Sequence, residues 1–276
     1  MYSRVYLEIT NICNKNCSFC PGTIREKKMM NNEEFSTIID KLQGVTEYIY
    51  FHLMGEPLLH PLLPEFIKLA KEKGYKPAIT TNGTLLKNRG KEIVEAGIYK
   101  VSISIHSFEE GSKEEYLSYI ENCLNFADYA SKNGVLVALR LWNKGGDESR
   151  NDATLELMHK KFNNEWHFGT RGARIRDKLH LEYGDKFEWP DMCAEDMGDK
   201  VFCYGLKDHF GILCDGRVVP CCLDREGIMT LGNILGEDIN EILNSEKAQE
   251  ILKGFREKQA VEELCRKCGY ARRFKI

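Results

Sequence analysis

Cys13, Cys17 and Cys20 sit together in the stretch EITNICNKNCSFCPG, and Cys203, Cys221, Cys265 and Cys268 gather toward the C-terminus. Of 11 cysteines only Cys123 stands apart from the groups at 13–20, 193–222 and 265–268. In a reducing compartment thiols stay unpaired, so such clustering points to metal binding or catalysis. Iron–sulfur clusters are held by closely spaced cysteine thiolates. In a [4Fe–4S] cubane, three cysteines leave one iron without a protein ligand. Catalytic metal sites keep such a position open for substrate or cofactor, whereas structural sites are closed. The competing readings are a three-cysteine zinc site completed by a remote His, and thiols packed as small core residues. Asn11, Asn14, Lys15 and Asn16 make the loop polar, which argues against core packing. The spacing favours iron–sulfur over zinc.

The elements around this loop follow from periodicity. RVYLEIT reads as a strand, and NEEFSTIIDKLQ as a helix opened by Asn31 or Asn32. EYIYFHLM, KPAITT, KVSISI and GVLVALRLW read as four more strands, with helices in HPLLPEFIKLAKEKG, in GTLLKNRGKEIVEAG and near 113–132. A sixth strand is expected in RIRDKLHLEY. Strands that look apolar on both faces, alternating with helices, predict parallel βαβ units. Six units fall short of the eight of a closed barrel, so the expected fold is α/β, an open partial (β/α)6 barrel. In such folds the chemistry sits in loops after the C-terminal strand ends. The cysteine loop, Gly55-Glu56-Pro57, Thr81-Asn82-Gly83 and His106-Ser107 all fall on that rim.

Residues 184–200 lack a period and read as a linker between a barrel over 1–183 and a small domain over 201–276. In the small domain, HFGILCDGRVVPCC predicts a β-hairpin turning at Asp215-Gly216, and DINEILNSEKAQEILKGF an amphipathic helix. The net charge of −3 offers no field to hold nucleic acid. No apolar run reaches spanning length and no cleavable signal is present, so no membrane role is expected and the cytoplasm is the expected compartment.

The pattern Cys13-x3-Cys17-x2-Cys20 after a first strand, with Phe19 before the last cysteine, resembles the signature of radical S-adenosylmethionine (SAM) enzymes. MGEP is similar to that family's GGEP motif, with Met54 in place of the first glycine, and TTNGTLL to the segment after its third strand. The resemblance covers about 1–183. It implies a [4Fe–4S] cluster on Cys13, Cys17 and Cys20, whose open iron binds SAM and whose electron cleaves it to a 5′-deoxyadenosyl radical. By the same resemblance Gly55 and Glu56 meet the SAM ammonium, Pro57 and Asn82 belong to the cofactor site, and Ser102 and Ser104 lie where the family contacts the ribose. Many relatives follow that serine with Asp, where this chain has Ile105-His106. His106 is the histidine best placed to face a substrate; the plainer alternative is a strand-end ring bonded to backbone. Arg140, in the fifth strand, is expected to meet a carboxylate of SAM or of the protein, since an unpaired buried guanidinium is costly.

Twelve residues separate Cys203 from Gly216 and four separate Gly216 from Cys221, which resembles the opening of the SPASM and Twitch domains of radical SAM enzymes. With Cys265 and Cys268 the resemblance implies one auxiliary [4Fe–4S] cluster, the Twitch arrangement; a four-cysteine zinc ribbon is the structural alternative. Cys222 is expected on the opposite face from Cys221 and packed. Cys214 precedes the turn, and Cys193 lies in the linker as a spectator or a hydrogen-atom donor. The leading expectation is two-electron oxidation of a small, sugar-like alcohol. The alternatives are a peptide maturase making crosslinks, thioethers or epimers, and a non-catalytic zinc module. A low-potential donor such as flavodoxin or ferredoxin is the implied partner. An N-terminal peptide-binding domain is not expected, because the first strand begins at about residue 4.

Overall fold

Every second residue of the N-terminal strands is apolar and fully buried: Val5 and Leu7, Ile49, Ile79, Val101 and Ile103, then Val137 and Leu139. A strand exposes its side chains alternately, so these residues share the face that packs on helices. The computed structural model describes residues 1–163 and 165–274. Its strands are β1 (Arg4–Leu7), β2 (Tyr48–Tyr50), β3 (Lys76–Thr81), β4 (Lys100–Ser104), β5 (Leu136–Lys144), β6 (His167–Gly169), β7 (Gly172–Arg176), β8 (Leu179–Asp185), β9 (His209–Ile212), β10 (Arg217–Val219) and β11 (Gly232–Asn233). The helices are α1 (Asn32–Lys41), α2 (Leu63–Glu72), α3 (Leu86–Ala96), α4 (Lys113–Lys132), α5 (Asn151–Lys161), α6 (Ile239–Leu243), α7 (Glu246–Arg256) and α8 (Glu263–Arg266). Asn31 and Glu34 form a capping box that starts α1, and Ser112 and Glu115 do the same for α4.

One sheet runs β11-β10-β9-β1-β2-β3-β4-β5-β8-β7-β6. Within it β1, β2, β3, β4, β5 and β8 are parallel neighbours, the six expected strands of a partial barrel. Helix α5 was not expected, and the single helix expected over DINEILNSEKAQEILKGF is two, α6 and α7, broken at Asn244–Ser245. Three further differences bear on the site. RIRDKLHLEY holds two strands, because Lys178 takes a left-handed turn (φ +61°) between β7 and β8. The strands are not apolar on both faces. Arg4, Tyr6, Tyr50, Thr80, Lys100, Ser104, Arg140 and Trp142 line a cavity on the side away from the helices. And the C-terminal hairpin β9–β10 extends the barrel's own sheet: β9 pairs parallel with β1, from Arg4 with His209 to Leu7 with Ile212.

A buried ion pair fixes that junction. Glu8, at the end of β1, is fully buried and binds Arg25 of the cysteine loop's return arm at 2.7 Å. Its carboxylate also accepts the backbone N–H of Met54 at 3.2 Å and of Cys214 at 3.0 Å. Arg25 in turn donates to the carbonyl of Arg225 at 2.7 Å. One carboxylate thus ties the first strand, the cysteine loop, the GEP loop and the C-terminal hairpin.

Candidate functional site: a rim cysteine loop and a thiol-lined cavity

The loop carrying Cys13, Cys17 and Cys20 docks on the ends of β3 and β4. Ser18 gives both its backbone N–H and its hydroxyl to Glu109, at 2.7 and 2.6 Å. The Cys17 thiol reaches the Ser107 carbonyl at 3.7 Å, and Cys20 N–H closes a turn onto Cys17 O at 3.0 Å. Asn82 donates from Nδ2 to Asn14 at 2.9 Å and approaches the Cys13 sulfur at 3.9 Å. Cys13 is exposed, while Cys17 and Cys20 are half-buried. Burial and the neighbouring Glu109, Cys20 and Cys13 push the Cys17 thiol up to about 12. A bound cation inverts that preference, because metal ligands must be thiolates.

The GEP loop packs beneath. Gly55 has φ +75°, and a Cβ there would collide with the Thr10 carbonyl oxygen, so only glycine lets this loop lie on the start of the cysteine loop. Glu56 N–H then bonds Ile12 O at 2.8 Å. Pro57 opens a short 3₁₀ turn whose Leu58 N–H is capped by Glu56 Oε1 at 3.0 Å. The same carboxylate accepts the Thr81 hydroxyl at 2.8 Å and the Asn82 N–H at 2.7 Å. Glu56 is 1 % exposed. Burial raises its carboxyl to about 7 against three neutral donors, and no basic side chain lies within ion-pair distance among the described residues. It is therefore no solvated loop carboxylate. Ser102 is fully buried, and its hydroxyl has no partner among the described residues. A buried carboxyl without a basic partner, an orphaned hydroxyl, a glycine cradle and three thiols suit a molecule with an ammonium and a ribose beside a cluster.

Arg140 finds its carboxylate within the protein. It binds Glu182 of β8 at 3.1 Å and the Thr80 hydroxyl at 3.2 Å, and lies 4.5 Å from the Trp142 ring. Of the two expected partners, SAM or the protein, the second is occupied. His106 combines both of its readings: Nδ1 meets the Arg140 carbonyl at 3.0 Å, and the ring borders the cavity beside Phe19, 4.9 Å between centroids. Trp142 N–H also points at Nδ1, at the longer 3.4 Å. The shorter contact places the proton on Nδ1, since a lone pair facing a carbonyl oxygen at 3.0 Å is repulsive. Nε2 has no partner among the described residues. Burial holds His106 below the usual histidine range, and His52, bonded twice to Thr80, falls to about 3.

The C-terminal thiols face these residues across the same space. Cys203, Cys221, Cys265 and Cys268 line a cavity of about 650 Å³ that also touches Ser104, His106 and Arg140. Cys222 lines it too, against the expectation that it packs away. Strand β10 ends at Val219, so the alternation of faces no longer governs residues 221 and 222. Sequence reasoning had no signal for this, because the strand's end is set by its pairing. Cys193 is exposed and outside the lining, and Cys214 is buried 3.6 Å from Arg25. Among the described residues no three His, Cys, Asp or Glu side chains converge closely enough for a single metal ion. Other residues the sequence did not single out form the cavity's aromatic wall: Phe187, Trp189, Tyr204, Tyr270 and Phe274.

A parallel partial barrel with three thiols at its rim and four more across the opening defines a SAM-cluster enzyme with an appended iron–sulfur domain. Comparison with known proteins agrees: residues 7–166 match the Radical SAM superfamily and 203–269 the SPASM iron-sulfur cluster-binding domain. The chain belongs to the Radical SAM superfamily. It is 24% identical over 282 residues to the S-adenosyl-L-methionine-dependent 2-deoxy-scyllo-inosamine dehydrogenase of Niallia circulans, covering 98% of this chain and 93% of that one. It is 36% identical over 106 residues to the tungsten-containing aldehyde ferredoxin oxidoreductase cofactor-modifying protein of Pyrococcus furiosus, 37% of this chain but only 30% of that one. The structure of BtrN in complex with AdoMet and 2-DOIA matches with a TM-score of 0.62 at 21% identity, over 97% of this chain and 93% of that one. Native anSMEcpe with bound AdoMet matches with 0.60 at 15% identity, over 90% and 82%. The two domains imply a [4Fe–4S] cluster, SAM and an auxiliary cluster, those of a radical SAM enzyme. No helix among the described residues is long and apolar enough to cross a membrane.

Proposed function

We propose that this enzyme oxidises an alcohol of a small, sugar-like molecule to a carbonyl, a two-electron reaction. The observation that carries this reading is the cavity of about 650 Å³, of a size ordinary for small ligands, walled on one side by the ends of β3 to β5 and on the other by four thiols. When bound, SAM on its cluster supplies radical hydrogen abstraction, and an auxiliary cluster supplies a one-electron acceptor. Cys13, Cys17 and Cys20 hold the first cluster; Cys203, Cys221, Cys265 and Cys268 hold the second. Gly55, Glu56 and Pro57 shape the seat for the amino-acid end of SAM, with Glu56 as counter-charge, while Asn82 braces the cysteine loop. Ser102 and Ser104 meet the ribose. Arg140, held over the Trp142 ring by Glu182, stiffens the cavity wall next to the substrate. Nε2 of His106, the unprotonated nitrogen of a neutral ring, takes up the hydroxyl proton. The aromatic wall keeps water away from the reacting carbon. A flavodoxin- or ferredoxin-like protein supplies electrons, and the reduced thiols fit a cytoplasmic setting.

Metal analysis after anaerobic purification tests the two-cluster reading. We expect about eight irons per chain, falling to about four in a Cys13/Cys17/Cys20→Ala triple variant. About four irons that vanish in that variant, with one zinc left, would remove the electron acceptor and with it the oxidation. Carbon-deuterated cyclitols and hexoses, offered beside a peptide panel, then test the substrate. Deuterium carried into 5′-deoxyadenosine from a polyol supports the proposal, and transfer from peptides alone replaces it with peptide maturation.

A further inference from the structure

The segment between β8 and Cys203 touches both cysteine sets. Trp189 donates its indole N–H to the carbonyl of Phe19 at 3.0 Å, one residue before Cys20. Glu188, its neighbour, lies with its backbone against Gly269, the residue after Cys268. A Cβ at 269 would stand 2.8 Å from the Glu188 carbonyl oxygen. Phe187 meets Tyr270 edge-on at 4.9 Å and stands 5.5 Å from Trp189. Lys267 donates to the Met192 carbonyl at 2.6 Å, and Arg225 to the Pro190 carbonyl at 2.9 Å. Residues 187–192 therefore form a strap whose one edge holds the loop of Cys20 and whose other edge rests on the turn of Cys268.

We propose that this strap couples the two cysteine sites, with Trp189 positioning the N-terminal cysteine loop according to the state of the C-terminal site. The inference rests on reading Cys13, Cys17 and Cys20 as the SAM-cluster site and the other four thiols as a metal site, whether iron or zinc. Metal ligation fixes the backbone around its ligands, here the Lys267–Tyr270 turn on which the strap rests. That turn sets the height of Glu188, and Glu188 sets where the next residue's indole N–H can reach. The Phe19 carbonyl, which accepts that N–H, moves with it, and Cys20 is the next residue. Coupling of this kind passes through packed contacts and needs no charge to move. The same strap lines the cavity through Phe187, Trp189 and Pro190, so it also feels an occupant.

A double-mutant cycle on the full chain, reconstituted anaerobically, tests it. The readouts are the Kd for radiolabelled SAM by equilibrium dialysis and the change that SAM causes in the electron paramagnetic resonance spectrum of the reduced N-terminal cluster. Trp189→Phe keeps the ring but loses the N–H; it should weaken SAM binding about fivefold, the worth of one hydrogen bond. Cys265→Ala/Cys268→Ala, which empties the C-terminal site, should weaken it by a similar factor. Together they should weaken it no further, because both break one chain of contacts. Losses that multiply, or a single variant that binds SAM like the parent, overturn the proposal. Gly269→Ala is the independent arm: it keeps all four thiols and the metal content but must lift Glu188. It should reproduce the Trp189→Phe loss and spectrum; parent-like binding there also overturns the proposal. Metal analysis of the parent separates this outcome from failure of the oxidation reading, which depends on iron rather than on coupling.

Discussion

At the scale of single residues the site is governed by groups whose partners are missing or unequal. Glu56 has three donors and, among the described residues, no basic side chain in ion-pair reach, and burial outweighs those donors and raises its carboxyl to about 7. Folded Glu56 keeps its proton up to that pH, whereas an unfolded glutamate loses it near 4.5. Between the two values the folded state binds more protons, so the free energy of unfolding falls as pH rises. At pH 8 this carboxyl should leave the SAM-free protein less stable than at pH 4 by on the order of 3 kcal/mol. A Glu56→Gln variant should lack that slope in denaturant melts run across pH. It should also bind SAM at least about tenfold more weakly, as expected on losing a charge-assisted hydrogen bond. An unchanged Kd would remove Glu56 from the ammonium's seat. His106 and His52 show the opposite effect of the same burial, since an imidazole pays for its charged form and stays neutral.

At the scale of elements, one buried carboxylate holds four segments together through Glu8. Its partner Arg25 is 9 % exposed, and deleting one member of a buried pair leaves an uncompensated charge. Arg25→Ala should cost about 3–5 kcal/mol of stability, read as a fall in the urea midpoint. Much of this layer was legible in the sequence. Strands β1 to β5 and helices α1 to α4 show up as periodic apolar runs, and the rim motifs follow strand ends because βαβ units put loops there. The hairpin at Asp215-Gly216 was legible from its turn, where Gly216 takes φ +86°. What could not be read was long-range pairing. Helix α5 has only Thr154 and Met158 buried, too few to print a 3.6-residue stripe. Nothing in HFGI marks it as the parallel neighbour of β1, since register partners carry no local signature. The inward turn of Cys222 and the carboxylate partner of Arg140 were hidden for the same reason: both depend on where another strand ends or lies.

At the scale of the whole molecule, the C-terminal domain belongs to the barrel. Four residues of β1 pair with four of β9, and Phe210 and Ile212 of β9 are fully buried. Removing residues 201–276 would strip that edge of its hydrogen-bond partners and uncover the cavity's far wall in the same stroke. It would also leave Glu8 without the Cys214 N–H, and Arg25 without the Arg225 carbonyl. An unpaired parallel edge flanked by Val5 and Leu7 is a template for another chain. A fragment of residues 1–200 should therefore run as soluble aggregate or remain insoluble, and its β1 amides should exchange with solvent orders of magnitude faster than in the full chain. Size-exclusion chromatography and hydrogen exchange read the two effects separately. A monomeric fragment with protected β1 amides would mean that the barrel closes its own edge. The cavity would then be a gap between two independent domains, and the case for a substrate site built jointly by β1, β4, β5 and the C-terminal thiols would fall with it.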